Sequence, residues 1–246
     1  MVWIKKESAA KLAAILLFLV ALFITLTWPN SDPVDEVSVD EQVNGVIELP
    51  DPDIDSDYSV EQAIEQRRSV RSLDAEKGLS LDQVSQLLWA AQGITDDDMM
   101  YRAAPSAGAT YPLKLYVLVG NNGVEEISEG VYLYNPDSHQ LELVKEGDIR
   151  SDVYQVALRQ SPINNAPISI IMGADFSRTT DRYGDRGDRY VYMEAGHSAQ
   201  NIYLQAESLG LGTVVIGAFD DGNVHNIVHM DEAHEPLYII PVGYPN

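Results

Sequence analysis

The stretch YVYMEAGHSAQNIYLQAESLGLGTVVIGAF, residues 190–219, decides the fold of this chain. We predict that its first part belongs to the longest helix, which runs from Arg189 to Leu209 and stops at Gly210. The segment TVVIGAF (213–219) then predicts a strand. One side of the helix carries a polar stripe, which faces either an active cleft or a buried helix–helix contact. The stripe consists of Glu194, His197, Asn201 and Gln205.

Outward from this stretch, the sequence mixes helical and strand patterns. LKLYVLV (113–119), PISIIMG (167–173) and PLYIIPVG (236–243) predict strands, and VYLY and LELV around NPDSHQ predict a hairpin. Capping boxes at Ser59-x-x-Gln62 and Ser80-x-x-Gln83 predict two helix starts. The hairpin-like pairs, together with the absence of GxGxxG and Walker sequences, favour an α+β fold over a dinucleotide-binding sheet.

The charge balance excludes one class of partner. The chain has 246 residues with 16 Lys and Arg against 38 Asp and Glu, so its formal net charge is −22. Nucleic acids bind surfaces rich in Lys and Arg, and we therefore expect no DNA or RNA partner. The chain contains no cysteine, which excludes disulfides, thiolate metal sites and a cysteine nucleophile.

The N-terminus predicts a membrane anchor. After segment 1–11, which contains lysines, comes LAAILLFLVALFITLTW (12–28), a run without a charge. With its flanking alanines it forms a helix of about 30 Å, enough to cross the hydrocarbon core. A cleaved signal peptide is the alternative, but no small-x-small cleavage site follows. Because basic residues precede the span, we expect a single-pass membrane protein with segment 1–11 in the cytoplasm and the rest outside it.

An acidic segment follows the predicted anchor. Residues 29–57 hold ten acidic residues and no basic residue. This composition is typical of an extended linker, because charge repulsion and low apolar content prevent a packed core. We therefore expect one folded domain from residue 58 to residue 246.

The segment RRSVR (67–71) places three arginines around one serine. We predict that Arg67 and Arg71 share a helical face, with the Ser69 hydroxyl nearby, and such a fork suits a phosphate. In the alternative, Arg67, Arg68 and Arg71 are surface residues that pair with the many acidic residues of this chain.

Two further segments are candidates for a site. PSAGATYPL (105–113) has little side-chain bulk, so its backbone amides can approach a flat ligand, although an ordinary tight loop would read the same way. RTTDRYGDRGDRY (178–190) alternates arginines with aspartates, and Gly184 and Gly187 interrupt any steady helix. We interpret it either as a loop of exposed ion pairs or as the segment that presents Tyr183 to a substrate.

Histidines near the C-terminus are a weaker candidate. In HNIVHMDEAHE (225–235), His225 and His229 have the i, i+4 spacing of a zinc site, with carboxylates nearby. The HExxH order is absent, and we expect no metal.

Together and in this order, RRSVR, PSAGATYPL and the 190–219 stretch resemble the flavin-dependent nitroreductase superfamily. More narrowly they are similar to its SagB/ThcOx-type dehydrogenase branch, whose best-known members oxidise azoline rings in peptides. The resemblance covers nearly all of residues 58–246. It implies an α+β nitroreductase-like fold, with a central, mostly antiparallel sheet flanked by helices, in a homodimer that binds FMN in the dimer cleft.

The resemblance also implies individual site residues. The motif that holds the phosphate and ribityl chain of FMN is matched by Arg67, Arg68, Ser69 and Arg71. The loop beside the isoalloxazine, contributed by the partner subunit, is matched by Pro105, Ser106, Ala107 and Gly108. The strand end whose backbone reaches the flavin is matched by Ile216 and Gly217. The catalytic Lys-Tyr pair of the azoline oxidases is matched by Arg182 and Tyr183.

Two departures from the family pattern limit these expectations. Arg182 stands in place of the lysine, and arginine keeps its proton, so Tyr183 alone is left as an acid or base and azole formation is in doubt. The ending PVGYPN lacks the Lys or Arg with which many nitroreductases bind the phosphate. The phosphate would therefore depend more on RRSVR.

We expect an FMN-dependent oxidoreductase that transfers hydride or electrons between a donor such as NAD(P)H and an organic acceptor, or that oxidises a small-molecule or peptide substrate. The alternative is a non-catalytic flavin- or small-ligand-binding module that kept the pocket after losing the base. The sequence leaves open the electron donor, the direction of electron flow and the substrate.

Overall fold

The computed structural model describes residues 45–96 and 98–246. The predicted anchor at 12–28 and the first part of the predicted linker lie outside the described residues and stay predictions. Within the described ranges, no helix is both long and apolar enough to cross a membrane.

A seven-stranded sheet forms the centre of the molecule. Its strands are β1 (Val46–Glu48), β4 (Leu113–Val119), β5 (Gly130–Asn135), β6 (Gln140–Glu146), β7 (Ile168–Ala174), β8 (Gly212–Thr213) and β9 (Glu235–Gly243), while β2 (Ile94–Asp96) and β3 (Tyr101–Arg102) form a separate ribbon. The order across the sheet is β1-β6-β5-β4-β7-β9-β8. Every pairing is antiparallel, which confirms the predicted α+β class.

Seven α-helices are found in the described residues. They are α1 (Val60–Gln66), α2 (Leu81–Gln92), α3 (Arg150–Val156), α4 (Ser161–Asn165), α5 (Ser177–Tyr183), α6 (Gly187–Ser208) and α7 (Asp221–Val228). Both predicted capping boxes are present: the Ser59 and Ser80 side chains accept from the backbone N–H groups of Gln62 and Gln83. Each box satisfies backbone groups that a helix start leaves unpaired.

Helices cover both faces of the sheet because successive strand residues point to opposite sides. In β4, Leu115 and Val117 belong to the core under α2 and α6, whereas Tyr116 and Leu118 belong to the core under α3 and α7. The central strands are thus buried on both faces, which explains their nearly continuous apolar sequences.

The polar stripe of α6 is largely a helix–helix contact. Asn201 Nδ2 donates to the Ala90 carbonyl of α2 over 3.0 Å, and Gln86 Nε2 of α2 donates to Gln205 Oε1 over 3.2 Å. His197 is exposed. Only Glu194 of the stripe is fully buried, and its surroundings are described with the site below.

The predicted linker is wrong for its last part. Val46–Glu48 pairs with β6, and Leu49 is buried. The Pro50 carbonyl accepts from Ser85 Oγ over 2.6 Å, which ties this segment to α2. The acidic side chains face outward while the few apolar residues between them complete the sheet, so composition alone placed the domain start too late.

The strand predicted at 213–219 is also wrong in most of its length. Only Gly212–Thr213 pairs with β9. Further along the chain, Ile216 forms a single isolated bridge to Ile239. Backbone groups between them bond elsewhere: the Thr213 carbonyl accepts from Val70 N, and Val215 N donates to the Tyr203 hydroxyl, both over 2.9 Å. These partners are far away in sequence, and a local apolar pattern does not reveal them.

The segment 178–190 is not a loop. Residues up to Tyr183 form α5, a 3-10 turn at Gly184–Arg186 follows, and α6 starts at Gly187. Gly184 has a φ of 57°, which breaks the helix as expected. Gly187 has another role. A Cβ at this position would lie 2.7 Å from Thr180 Cα, so the absence of a side chain allows α5 and α6 to pack closely.

Candidate functional site

The arginine segment, residues 67–71, follows the end of α1 in an extended conformation. Arg67 caps α1 with a ψ of 129°, and Ser69 then forms a parallel bridge to Thr213. The prediction that Arg67 and Arg71 share a helical face is therefore wrong. The reason is tertiary: Val70 N donates to the Thr213 carbonyl, which draws the chain alongside β8 instead of continuing the helix.

The guanidinium groups of this segment are not neutralised by described carboxylates. Arg68 Nη1 donates to the carbonyls of Glu65 and Arg67, both over 2.8 Å, and Arg71 Nη1 donates to the Ser69 carbonyl over 3.4 Å. Among the described residues, no ion pair includes any of the three arginines. Pairing with surface acids, the alternative reading of this segment, is therefore not what this part of the structure shows.

Tyr203 joins the arginine segment to the residues that follow β8. Its hydroxyl lies 2.9 Å from Ser69 Oγ and accepts from Val215 N over 2.9 Å, and its ring lies 5.1 Å below the Arg67 guanidinium. The structure thus brings the arginine segment close to the predicted site residues Ile216 and Gly217. We call residues 67–71, Tyr203 and 215–217 the arginine cluster. Tyr203 was not predicted as a site residue, since no local pattern distinguishes it among the 13 tyrosines of the chain.

The glycine loop, residues 105–111, has an unusual backbone. Gly108, Ala109 and Tyr111 have φ values of 60°, 53° and 46°. Left-handed conformations cost a residue with a Cβ roughly 1–2 kcal/mol, so other contacts must hold Ala109 and Tyr111 in place.

Side chains from three elements supply those contacts. Arg182 Nη1 donates to the Gly108 carbonyl and Arg178 Nε to the Thr110 carbonyl, both over 2.9 Å. Within the loop, Ser106 Oγ accepts from Tyr111 N over 2.9 Å. The Arg102 guanidinium of β3 lies 4.7 Å above the Tyr111 ring. Arg102 is another residue that sequence analysis did not identify.

Tyr183 lies against the loop. A Cβ on Gly108 would collide with the Tyr183 hydroxyl and lie 2.9 Å from Arg182 Cζ, so both side chains would have to move to admit it. The Tyr183 ring packs edge-to-face on Tyr190 at 5.1 Å. The structure therefore places Gly108, Arg182 and Tyr183 next to one another within one chain, with the Arg182 guanidinium hydrogen-bonded to the loop backbone. Pro105 is exposed, and Ser106 and Ala107 are half-buried.

Glu194 lies behind the loop and is 2% exposed. Among the described residues, Glu194 Oε1 and Gln92 Nε2 are buried without a hydrogen-bond partner. Burial raises the pKa of Glu194 to about 7, although the nearby Ser106, Arg102, Arg178 and Gln92 partly oppose the rise. Gln92 Oε1 accepts from Arg102 Nη1 over 3.2 Å, so a polar chain leads from β3 to this carboxyl group. We call the glycine loop, Arg178, Arg182, Tyr183 and Glu194 the loop cluster.

The two clusters contact different parts of α6. Glu194 and Tyr203 are nine residues apart on this helix. At 1.5 Å per residue this separates them by about 13 Å along the axis. Within one chain, the predicted site residues therefore form two groups rather than one.

The C-terminal histidines serve other contacts. His234 Nδ1 lies 2.7 Å from the Tyr116 hydroxyl, and His225 Nε2 lies 3.1 Å from the Asp231 carbonyl. Within residues 45–96 and 98–246, no group of three or more His, Asp and Glu side chains is placed to hold a metal.

Comparison with known proteins agrees with this geometry. The profile of the Nitroreductase family matches residues 64–244, a range that contains both clusters. The chain belongs to the nitroreductase family. This assignment confirms the resemblance stated above, and the relatives include a trifolitoxin-processing protein and a microcin B17-processing protein, as in the SagB-type branch.

Three similar proteins illustrate the range of the family. A nitroreductase-like protein of Methanocaldococcus jannaschii is 44% identical over 197 residues, covering 80% of this chain and 96% of that protein. The microcin B17-processing protein of Escherichia coli is 28% identical over 157 residues, covering 63% of this chain and 58% of that protein. A crystal structure of a nitroreductase-like protein from Ralstonia eutropha aligns with a TM-score of 0.70 and 28% identity, covering 82% of this chain and 90% of that one.

Proposed function

We propose that this nitroreductase-family protein is an FMN-dependent oxidoreductase that acts as a homodimer. The observation that carries the proposal is the arginine segment. Three guanidinium groups lie within five residues, in a chain of net charge −22, and none pairs with a described carboxylate.

The arginine segment fits the phosphate of FMN. Arg68 and Arg71 are exposed, and within the described residues they bond only to nearby backbone carbonyls, which leaves other N–H donors for an anion. The Ser69 hydroxyl adds a neutral donor on the same segment. A phosphate carries close to two negative charges at neutral pH and would relieve the repulsion among the three cations.

The glycine loop fits a flat ring. Gly108 has no side chain to cover the backbone, and Arg182 and Arg178 hold the loop carbonyls from behind. Because the arginine and loop clusters are about 13 Å apart along α6, we propose that a complete site combines the arginine cluster of one subunit with the glycine loop of its partner.

Exposed apolar side chains support a homodimer. Met99 and Met100 in the β2–β3 turn, Tyr101 at the start of β3, and Tyr192 and Met193 on α6 are each 44–59% exposed. Large apolar side chains grouped on a surface are typical of protein interfaces. The first three of these residues precede the glycine loop in sequence, and the other two lie on α6, the helix beside the loop. A subunit contact near the site requires apolar surface in this region.

Tyr183 is the proposed proton donor or acceptor. Bound FMN would supply hydride transfer at its N5 atom. Tyr183 can exchange a proton with a substrate in front of the glycine loop, whereas Arg182 stays charged and positions the Gly108 carbonyl. The electron donor we propose is NAD(P)H, and a peptide substrate is the alternative suggested by the microcin-processing relative.

The first experiment is a test for bound flavin. The full chain is purified in detergent, its visible spectrum is recorded, and FMN is titrated into the flavin-stripped protein. We expect a yellow protein that binds one FMN per subunit. A chain that takes up no FMN at any concentration below millimolar would refute the proposal.

One observation favours a second candidate, a flavin-binding module without catalysis. Arg182 replaces the expected base and is engaged with a backbone carbonyl. Reduction separates the two candidates: we expect NAD(P)H to bleach the bound flavin and a quinone or nitroaromatic acceptor to restore it. Tight FMN binding without reduction by any donor other than dithionite would favour the module. Tyr183→Phe is expected to slow turnover and leave the FMN dissociation constant unchanged.

A further inference from the structure

The glycine loop ends at Tyr111, a residue with a strained backbone. Its φ of 46° lies in the left-handed region, where a Cβ crowds the following carbonyl oxygen. Tyr111 N donates to Ser106 Oγ over 2.9 Å, which closes the loop on itself. The Tyr111 hydroxyl forms no hydrogen bond to any described residue. The Tyr111 ring must therefore be fixed by a contact of another kind.

That contact comes from Arg102 on β3. The guanidinium carbon of Arg102 lies 4.7 Å from the centre of the Tyr111 ring, a distance at which a cation is attracted to an aromatic face. The Arg102 side chain is only 13% exposed. Because a cation–π contact gains strength when the cation is withdrawn from water, this contact is stronger than the same contact on an open surface.

Two groups outside the loop fix the Arg102 side chain in turn. Arg102 Nη1 donates to Gln92 Oε1 of α2 over 3.2 Å, and Arg102 Nη2 lies 3.7 Å from Asp137 Oδ1 in the turn between β5 and β6. A planar guanidinium can bond through its edge and stack through its face at the same time, whereas the ammonium group of lysine is a point charge on a flexible stem. Arginine is thus suited to connect Tyr111 with α2 and the sheet.

We propose that Arg102 is a positioning residue of the flavin site: it holds Tyr111 by its ring and thereby keeps the backbone of the glycine loop in the shape that receives the isoalloxazine. Arg178 and Arg182 bond to loop carbonyls from α5, and Arg102 fixes the end of the loop from β3. The inference rests on the proposed function for the identity of the ligand. The effect of Arg102 on the loop is independent of any ligand.

Hydrogen exchange of the full chain without flavin tests this effect directly. Protection factors are measured for a peptide that covers residues 105–111 and for a peptide from β4, which reports on unfolding of the whole domain. Arg102→Met keeps an unbranched apolar stem and removes the guanidinium. We expect the protection of the loop to fall about tenfold, because the Tyr111 ring loses its contact.

Arg150→Met is the matched control. The Arg150 side chain is 14% exposed and pairs with a carboxylate, Asp148, over 2.6 Å, but it lies on α3, across the sheet from α6. Both variants should lower the protection of β4, since each loses a partly buried ion pair. Only Arg102→Met should lower the protection of the loop. Equal loop protection in the two variants would overturn the proposal.

A double-mutant cycle tests whether Arg102 acts through the Tyr111 ring. Tyr111→Leu removes the ring, whereas Tyr111→Phe keeps it and removes only the hydroxyl. We expect Tyr111→Leu to lower loop protection as much as Arg102→Met does, and the double variant to lower it no further. Tyr111→Phe should keep the loop protection of the wild type.

Two outcomes of the cycle would contradict the proposal. One is an additive loss of loop protection in the double variant, which would mean that Arg102 and Tyr111 act separately. The other is equal loop protection in Tyr111→Leu and Tyr111→Phe, which would mean that the ring is not what holds the loop. If Arg102→Met does not fold, this second comparison, made with Arg102 in place, decides alone.

FMN affinity separates this inference from the proposed function. An apparent dissociation constant rises as the fraction of chains with an ordered loop falls. We therefore expect the FMN dissociation constant to rise about threefold or more in Arg102→Met and in Tyr111→Leu, and to stay unchanged in Arg150→Met. A chain that binds no FMN would refute the proposed function and leave the exchange result valid. A chain that binds FMN equally well with and without the Arg102 guanidinium would refute the positioning role alone.

Discussion

The arginine cluster and the loop cluster are built in opposite ways on one helix. In the arginine cluster, Arg68 and Arg71 are exposed, and their described partners are backbone carbonyls of the same segment. In the loop cluster, arginines from α5 hold the carbonyls of Gly108 and Thr110, and a buried carboxyl group lies behind them. The arginine cluster therefore contains cations that no described carboxylate neutralises. In the loop cluster, the surrounding side chains hold the backbone in position before any ligand binds.

This difference indicates that the two clusters contribute differently to ligand affinity and to the stability of the chain. Exposed cations without partners contribute little to the stability of the free chain and gain much when an anion binds. A strained loop held by several hydrogen bonds costs stability and presents a preformed surface. Substitutions of the exposed arginines should therefore change ligand affinity, and substitutions in the loop cluster should change the stability of the chain.

The largest effect is expected for Arg67→Ala combined with Arg71→Ala. Loss of two charge-assisted contacts to the phosphate, each worth roughly 1.5–3 kcal/mol, should raise the FMN dissociation constant by far more than an order of magnitude. The free energy of unfolding without ligand should change by less than about 0.5 kcal/mol. Isothermal titration and urea unfolding measure the two quantities.

Arg159→Ala is the control for the loss of positive charge, since Arg159 is exposed and its side chain bonds, among the described residues, only to Gln155 over 3.1 Å. It should leave FMN affinity unchanged. An unaltered dissociation constant in the double variant would remove the phosphate from the arginine cluster.

The next effect is the pH dependence of stability caused by Glu194. Because burial raises its pKa to about 7, its contribution to stability is fully present below its ordinary pKa and is lost as pH rises through 7. Relative to Glu194→Gln, the wild type should therefore lose roughly 3 kcal/mol of unfolding free energy between pH 4.5 and 8.

Urea unfolding at several pH values measures this difference, with Glu207→Gln expected to follow the wild type. A constant difference between Glu194→Gln and the wild type across this range would show that the buried carboxyl group titrates normally.

A pair of glycine substitutions compares the clusters most directly. Gly108→Ala places a Cβ in a left-handed residue and against Tyr183 and Arg182, and should cost roughly 2–3 kcal/mol of stability. Gly217→Ala, in the arginine cluster, meets only Tyr238 at an ordinary 3.6 Å and should cost less than about 0.5 kcal/mol. Thermal unfolding of both variants measures the contrast, and equal losses would mean that the loop is not sterically constrained.

The smallest effect is expected for Tyr203→Phe. Without the hydroxyl, Val215 N loses its acceptor and Ser69 loses a partner, at a cost of roughly 1–2 kcal/mol. Tyr58→Phe removes an exposed contact to Gln66 and a long contact of 3.4 Å to Glu207, and should cost less. If the two variants unfold at the same urea concentration, the link between the arginine segment and residues 215–217 is not maintained by Tyr203.

Several elements were predictable from sequence because their causes are local. The capping boxes at Ser59 and Ser80, the buried strand at LKLYVLV (113–119) and the helix break at Gly184 each depend on residues within a few positions. The arginine segment and the glycine loop were recognised in the same way, from the composition of short stretches.

Other features were not predictable because their causes are distant in sequence. The strand predicted after Gly212 is mostly absent, since Val215 N bonds to Tyr203 and Thr213 to Val70. The acidic segment before residue 58 joins the sheet because β6 has a free edge beside it. Arg102 and Tyr203 became site residues only where a fold placed them against the glycine loop and the arginine segment.

The sequence by itself determined the α+β class, the family and the chemical character of the two clusters, because residue types and short-range spacing encode these. Only the tertiary structure decided which groups keep a free charge and which are neutralised or buried. That outcome depends on contacts between residues that are far apart in sequence, such as Arg182 and Gly108. These contacts arise when the helices pack with one another and with the sheet, and no local stretch of the chain contains them.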